Sequence, residues 1–122
     1  MSWFLVGIGA ALGGMLRYFF ALTLNALHPT IPGGTLAANL VGGFLMGVVL
    51  AFANLMSTEM RLLFATGFLG GLTTFSTFSA ESFNLLNSGR VGMAMVLIAI
   101  HALGSIAMTA LGFSVVTALR SA

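Results

Sequence analysis

Long apolar stretches, separated by short polar turns, constrain this sequence more than any other feature. Each stretch supplies the roughly 20 mostly apolar residues that a helix needs to cross a bilayer. The turns contain prolines, glycine pairs or helix-capping residues, which end helices. We therefore predict an all-α membrane protein, with one transmembrane domain over residues 1–122 and four helices at about 3–26, 34–54, 60–86 and 91–119.

The composition agrees with a membrane location. Hydrophobic residues make up 59% of the chain and charged residues only 5%, whereas soluble domains are about a quarter charged. There is no cysteine, so a disulfide or a thiolate metal site is impossible. The few arginines are too sparse for a nucleic-acid-binding surface. No catalytic motif or pair of carboxylates occurs, so an enzyme is not predicted.

The third apolar stretch is interrupted by Gly70-Gly71-Leu72-Thr73-Thr74-Phe75-Ser76-Thr77-Phe78-Ser79. Adjacent glycines followed by hydroxyl residues favour a helix break from about Gly70 to Thr73. Unwound backbone is tolerated in a membrane only where it is buried in protein or lines a cavity. The carbonyls of such a break suit a hard cation, and the amides of the restarting helix suit an anion. A continuous, kinked helix at a glycine-rich crossing is the alternative.

Residues after the break suggest contact with a small anion. Phe75 and Phe78 share one helical stripe with Ser79 and Ser82. The edge of an aromatic ring is electropositive, so ring edges in a narrow path would favour an anion; ordinary packing is the alternative. Glu81 is the one acid deep in a predicted helix. It either pairs with an arginine, carries a proton or bonds to hydroxyls.

The first helix places Gly9, Gly13 and Arg17 on one face, because residues four apart stack in a helix. A charged side chain inside a membrane segment is a functional hypothesis by default. Arg17 either snorkels towards the interface beside a glycine groove or lines a water-filled vestibule that attracts anions.

Polar residues also stack on the second and fourth helices. Asn39 shares a face with Gly43 and either bonds a neighbouring helix or faces a polar path. His101, Ser105 and Thr109 form a ridge on the fourth helix. Their hydroxyls either line that path or bond their own backbone.

The arginines give little bias for one orientation in the membrane. Arg61 and Arg120 fall at one predicted side, Arg90 falls at the other, and Arg17 lies deeper. Because arginines and lysines in short loops set orientation, a weak bias permits insertion both ways. It therefore permits an antiparallel homodimer.

The chain resembles the Fluc/CrcB family of fluoride ion channels over essentially its whole length. The resemblance rests on residues 14–18 and 34–42 and, most specifically, on residues 67–79. It implies a dual-topology, antiparallel homodimer in the bacterial inner (plasma) membrane. It further implies two pores that export fluoride passively and so protect the cell from its toxicity.

The resemblance also assigns roles to residues. It implies a structural Na⁺ at the dimer axis, held by the backbone carbonyls of Gly70 and Thr73 of both subunits. It implies a vestibule at Arg17. The implied pore residues are Phe75, Phe78, Asn39, Ser76, Thr77, Ser105 and Thr109, with His101 and Glu81 beside them.

Two rival interpretations remain open at this point. A small dual-topology exporter of organic cations, driven by protons, needs a membrane-embedded carboxylate, for which Glu81 is the only candidate. Glu81 lies in a hydroxyl-rich segment and not in an aromatic cage, which favours the channel. A non-transporting assembly subunit would leave the hydroxyl run at residues 73–79 unexplained.

Overall fold

Residues 1–121, the part of the chain that the computed structural model describes, form four helical spans that are long and apolar enough to cross a membrane. These described residues contain helices and turns but no strand, so the predicted all-α class is confirmed. The spans are Ser2–Leu27, Gly33–Ala51, Thr58–Asn87 and Val91–Ser121. The second helix ends at Ala51, and a short 3₁₀ turn, Ala53–Leu55, follows it.

Side chains close the turns between the spans. The hydroxyl of Ser57 accepts the N–H of Met60 at 3.2 Å and so caps the start of the third span, as the polar loop predicts. Asn25 Oδ1 accepts the N–H of Gly34 at 2.8 Å. Because amides at a helix start lack helical acceptors, this contact fixes the start of the second span against the end of the first.

Glycines allow the spans to pack with their backbones in contact. A Cβ atom at Gly9 or Gly13 would collide with the backbone of the third span. A Cβ at Gly47 would collide with the backbone at Thr109, and one at Gly112 with the backbone at Phe44. The first span therefore packs on the third and the second on the fourth, in the close manner typical of small residues in membranes.

An apolar cluster holds the third span against the second immediately before the break. Ala38, Leu69 and Leu72 are its buried members, and Leu72 is fully buried. A second cluster of Leu85, Ala94 and Leu97 joins the end of the third span to the fourth. Both sides of the break are thus anchored by packing.

The third span is not one regular helix. It begins as an α-helix at Thr58–Arg61, widens into a π-helix at Leu62–Leu69 and ends its first half at Gly70–Leu72. The N–H of Gly70 donates to the carbonyl of Ala65, five residues earlier, which is the π-helical pattern. The chain is extended at Thr73 (φ −83°, ψ 155°), and a helix restarts at Ser76–Asn87.

The predicted break is present, but it lies slightly later than the glycine pair. Residues 73–75 are unwound, whereas Gly70 and Gly71 remain helical. A Cβ at Gly71 would lie 2.8 Å from the Cα of Ala10. Gly71 is therefore required for the close approach of the first span, and the unwinding has another cause in the residues that follow.

Candidate ion-binding site at the break in the third span

An open cavity of about 530 Å³ lies beside the break, between the second, third and fourth spans. The predicted site residues in its lining are Asn39, Gly70, Thr73, Phe75, Phe78, His101, Ser105 and Thr109. Predicted site residues outside the lining are Arg17, Ser76, Thr77 and Glu81. The structure thus brings most of the predicted set to one place. Among the described residues, no carboxylate lines this cavity.

The side chain of Asn39 bonds both backbone groups of Thr74, its N–H and its carbonyl. Its Oδ1 accepts the N–H of Thr74 at 2.9 Å, and its Nδ2 donates to the carbonyl of Thr74 at 3.1 Å. These two contacts fix which end of the amide is the donor. Asn39 therefore supplies partners to backbone groups that would otherwise be unpaired inside the membrane.

The orientation of Asn39 fixes the proton on His101. Asn39 Nδ2 lies 3.0 Å from Nδ1 of His101, which must act as the acceptor. A neutral imidazole with an accepting Nδ1 carries its proton on Nε2. His101 is buried, and its Nε2 has no hydrogen-bond partner among the described residues. Its N–H is thus a donor without an acceptor in the part of the chain that the structure describes.

The aromatic side chains form a row along the cavity wall. The ring centroids of Phe75 and Phe78 are 5.5 Å apart, at an interplanar angle of 71°, so the edge of one ring meets the face of the other. The ring of Phe78 lies 4.7 Å from that of His101. Phe78 therefore lies between an exposed phenylalanine and the buried histidine.

The carbonyl oxygens of Gly70 and Thr73 are suited to a cation. A continuous helix would give each of them an amide from four residues further along. Those amides, of Thr74 and Thr77, donate instead to side-chain oxygens. Neutral carbonyl oxygens free of helical partners are the ligands with which protein filters replace the hydration shell of a monovalent cation. The donor set thus fits the implied Na⁺.

Arg17, on the first span, contacts the third span next to the break. Its Nε donates to the carbonyl of Gly71 at 3.2 Å, and its side chain is partly buried. This carbonyl would accept from Phe75 in a continuous helix. Arg17 therefore replaces a lost helical donor and holds a positive charge beside the unwound residues.

The hydroxyls of the fourth span are bonded to backbone. Thr109 Oγ1 lies 2.9 Å from the carbonyl of Gly43 and 3.0 Å from that of Ser105. Ser105 Oγ contacts the carbonyl of Asn39 at 3.5 Å. Both hydroxyls line the cavity, and their protons are directed at the second span and at the turn before them.

Glu81 lies away from the cavity and is bonded to the second span. Thr35 Oγ1 donates to Glu81 Oε2 at 2.6 Å, while Oε1 is buried without a partner among the described residues. Sequence reasoning missed Thr35, although it stands four residues before Asn39 on the same helical face. It also did not place Thr74 among the site residues, because only the fold puts this residue between Asn39 and Thr77.

Fold and site together define a multi-pass membrane protein with candidate ion-binding groups at a helix break. The chain belongs to the CrcB-like family, described as "CrcB-like protein, Camphor Resistance (CrcB)", which matches residues 4–113. The resemblance predicted from the sequence is thereby confirmed.

Several relatives carry the name "Fluoride-specific ion channel FluC". One from Chromohalobacter salexigens is 54% identical over 118 residues, covering 94% of this chain and 89% of the relative. Another from Pseudomonas paraeruginosa is 56% identical over 110 residues, covering 88% and 87%. A third from Chromobacterium violaceum is 54% identical over 112 residues, covering 89% of each. These names describe ion channels, which are not an enzyme class.

Proposed function

We propose that this chain forms a fluoride-selective channel through which fluoride leaves the cell down its electrochemical gradient. The observation that carries the proposal is the buried Nε2–H of His101, which has no acceptor among the described residues and lies beside Phe78 at a cavity without a carboxylate in its described lining. The names of relatives that are 54% and 56% identical support it. Helical apolar spans suit the bacterial inner (plasma) membrane, the barrier that the anion would have to cross.

Fluoride is small and strongly hydrated, so a path for it has to replace water with other donors. His101 offers an N–H, and Phe75 and Phe78 offer electropositive ring edges. The amides at the start of Ser76–Asn87 and the charge of Arg17 add positive potential. Several moderate donors favour entry of the ion without holding it tightly, which conduction requires. The hydroxyls of Ser76 and Thr77 lie outside the cavity lining, and we propose that they serve the path beyond the cavity, at the helix start.

We propose that the working unit is an antiparallel homodimer with two pores. Phe75, in the unwound segment, is 78% exposed on the single chain, and Gly70, at the helix end before that segment, is exposed as well. Unwound backbone cannot face lipid, because its polar groups find no partners there. A second copy would cover this surface, and the weak arginine bias allows the opposite orientation that such a copy needs.

We further propose that the Gly70 and Thr73 carbonyls of both subunits hold a structural Na⁺ at the dimer axis. When bound, the ion would supply a fixed positive charge that links the two breaks. This chain's own part is to keep the carbonyls exposed and oriented. Gly70 and Thr73 line the same open cavity as the proposed fluoride path.

The proposal is tested with purified protein in liposomes loaded with KF. Fluoride release is followed with an electrode after valinomycin is added to carry K⁺. We expect rapid release with the wild type and much slower release with Phe78→Ile. Phe83→Ile is the matched control, because Phe83 lies on the same helix, is 62% exposed and is outside the cavity lining.

Three outcomes would contradict the proposal or a part of it. Absence of release from inserted, dimeric wild-type protein would exclude the channel. Equal release by Phe78→Ile and Phe83→Ile would remove the role of the ring. If the wild type instead moves an organic cation against a proton gradient and Glu81→Gln abolishes that movement, the exporter interpretation is correct.

A further inference from the structure

Thr74 is the residue at which side chains replace the hydrogen bonds of a helix. Its N–H donates to Asn39 Oδ1 at 2.9 Å, and its carbonyl accepts from Asn39 Nδ2 at 3.1 Å. Its own hydroxyl oxygen accepts the N–H of Thr77 at 3.1 Å. Thr74 thus has its backbone held by another span while its side chain caps the next helix.

The first half of the third span ends at the first residue whose N–H donates to a side chain and not to a helical carbonyl. The N–H of Thr73 still donates to the carbonyl of Leu69 at 3.0 Å, four residues back. The next amide, of Thr74, would reach Gly70 in the same pattern, but Asn39 accepts it. The amide of Thr77 would reach Thr73, but the Thr74 hydroxyl accepts it.

The two N–H groups that donate to side chains would, in a continuous helix, donate to the carbonyls of Gly70 and Thr73. These are the two carbonyls that the proposed cation site uses. A carbonyl bonded in a helix points along the axis at its amide partner and offers a cation less of its electron density. Because the N–H of Thr74 donates to Asn39, the carbonyl of Gly70 is left without its helical donor. The carbonyl of Thr73 loses its helical donor in the same way, because the N–H of Thr77 donates to the Thr74 hydroxyl. Both events depend on oxygens, Asn39 Oδ1 and Thr74 Oγ1, that belong to side chains.

We propose that Asn39 and Thr74 are a positioning pair that keeps the Gly70 and Thr73 carbonyls available to Na⁺. This inference rests on the proposed Na⁺ site. Neither side-chain oxygen is a ligand of the ion in this scheme; each acts by occupying an amide. Because Asn39 also contacts His101 at 3.0 Å, one amide group joins the cation site to the proposed fluoride path.

Loss of either acceptor has a defined consequence. A buried N–H without a partner is costly. Without the Thr74 hydroxyl, the N–H of Thr77 would therefore donate to the carbonyl of Thr73. Without Asn39, the N–H of Thr74 would donate to the carbonyl of Gly70. Na⁺ would then have to displace a backbone hydrogen bond. The apparent affinity for Na⁺ should fall roughly five-fold for each lost acceptor, the equivalent of one ordinary hydrogen bond.

The test is a Na⁺ titration of the thermal unfolding midpoint of the purified dimer, with N-methyl-D-glucamine as the replacement cation. Thr74→Val removes the hydroxyl and keeps the side-chain shape, whereas Thr74→Ser keeps the hydroxyl. Thr74→Ser should reach half-maximal stabilisation at the wild-type Na⁺ concentration. Because both subunits of the homodimer carry the substitution, each variant loses two acceptors per ion, and Thr74→Val and Asn39→Leu should each need roughly 25-fold more Na⁺.

The readout separates positioning from general stability. A purely structural role would lower the midpoint equally in both salts and leave the half-maximal Na⁺ concentration unchanged. That result for Thr74→Val would overturn the inference. If Thr74→Val does not yield a dimer, an unchanged Na⁺ response of Asn39→Leu overturns it instead. A wild type without any Na⁺ response would refute the cation site and this inference together, while fluoride release is measured independently.

Discussion

A single methyl group at Gly47 should force the second and fourth spans apart. A Cβ there would overlap the carbonyl oxygen of Thr109 and lie 2.7 Å from the backbone nitrogen of Phe113. Comfortable contacts between carbon atoms are about 3.5–4.0 Å. Since the opposing atoms are backbone of a helix, they cannot rotate away, and the helices must separate by about 1 Å.

The magnitude follows from three contributions to the free energy of unfolding. Overpacking of this kind costs about 2 kcal/mol. Separation of the spans also weakens the hydrogen bond from Thr109 to the carbonyl of Gly43, 2.9 Å long, at about 1 kcal/mol. Alanine regains about 1 kcal/mol over glycine in helix propensity. We expect Gly47→Ala to lower stability by about 2 kcal/mol in total.

The matched control is Gly7→Ala. Gly7 also lies within a helix, but a Cβ there would meet nothing within 4 Å. This variant should be neutral or more stable by up to about 1 kcal/mol. Unfolding of both variants is measured in micelles by adding a denaturing detergent, together with fluoride release from liposomes. Equal stability of Gly47→Ala and Gly7→Ala would refute the backbone contact between the second and fourth spans.

Two further substitutions test polar contacts of the third span. Thr35→Val should cost about 2 kcal/mol, because it leaves Oε2 of the partly buried Glu81 without its 2.6 Å donor. Thr35→Ser should keep wild-type stability in the same detergent titration, and equal stability of all three proteins would contradict the bond. Arg17→Gln keeps a donor at the same distance along the side chain for the Gly71 carbonyl but removes the charge. It should stay within about 1 kcal/mol of wild-type stability, while fluoride release slows most at low salt, where charges are least screened. An unchanged salt dependence would contradict attraction by Arg17.

Local sequence was sufficient for the class of fold and for the composition of each helical face. Apolar runs of this length leave helices as the only way to satisfy the backbone in lipid, whatever their partners. Helical spacing alone puts His101, Ser105 and Thr109 on one face. The structure places this ridge along the second span, where Thr109 contacts Gly43. Such features follow from the geometry of one helix.

Tertiary structure decided where the third span unwinds and what surrounds the break. The glycine pair predicts a break near Gly70, but the unwound residues are 73–75, because Asn39 captures Thr74 from 35 residues away. The partner of Arg17, the Gly71 carbonyl, is 54 residues distant. Periodicity indicates which face of its own helix a side chain occupies, but it does not indicate which residues of another helix pack against that face. The packing of the spans therefore determines which backbone N–H donates to a side chain and which carbonyl is left without a helical donor.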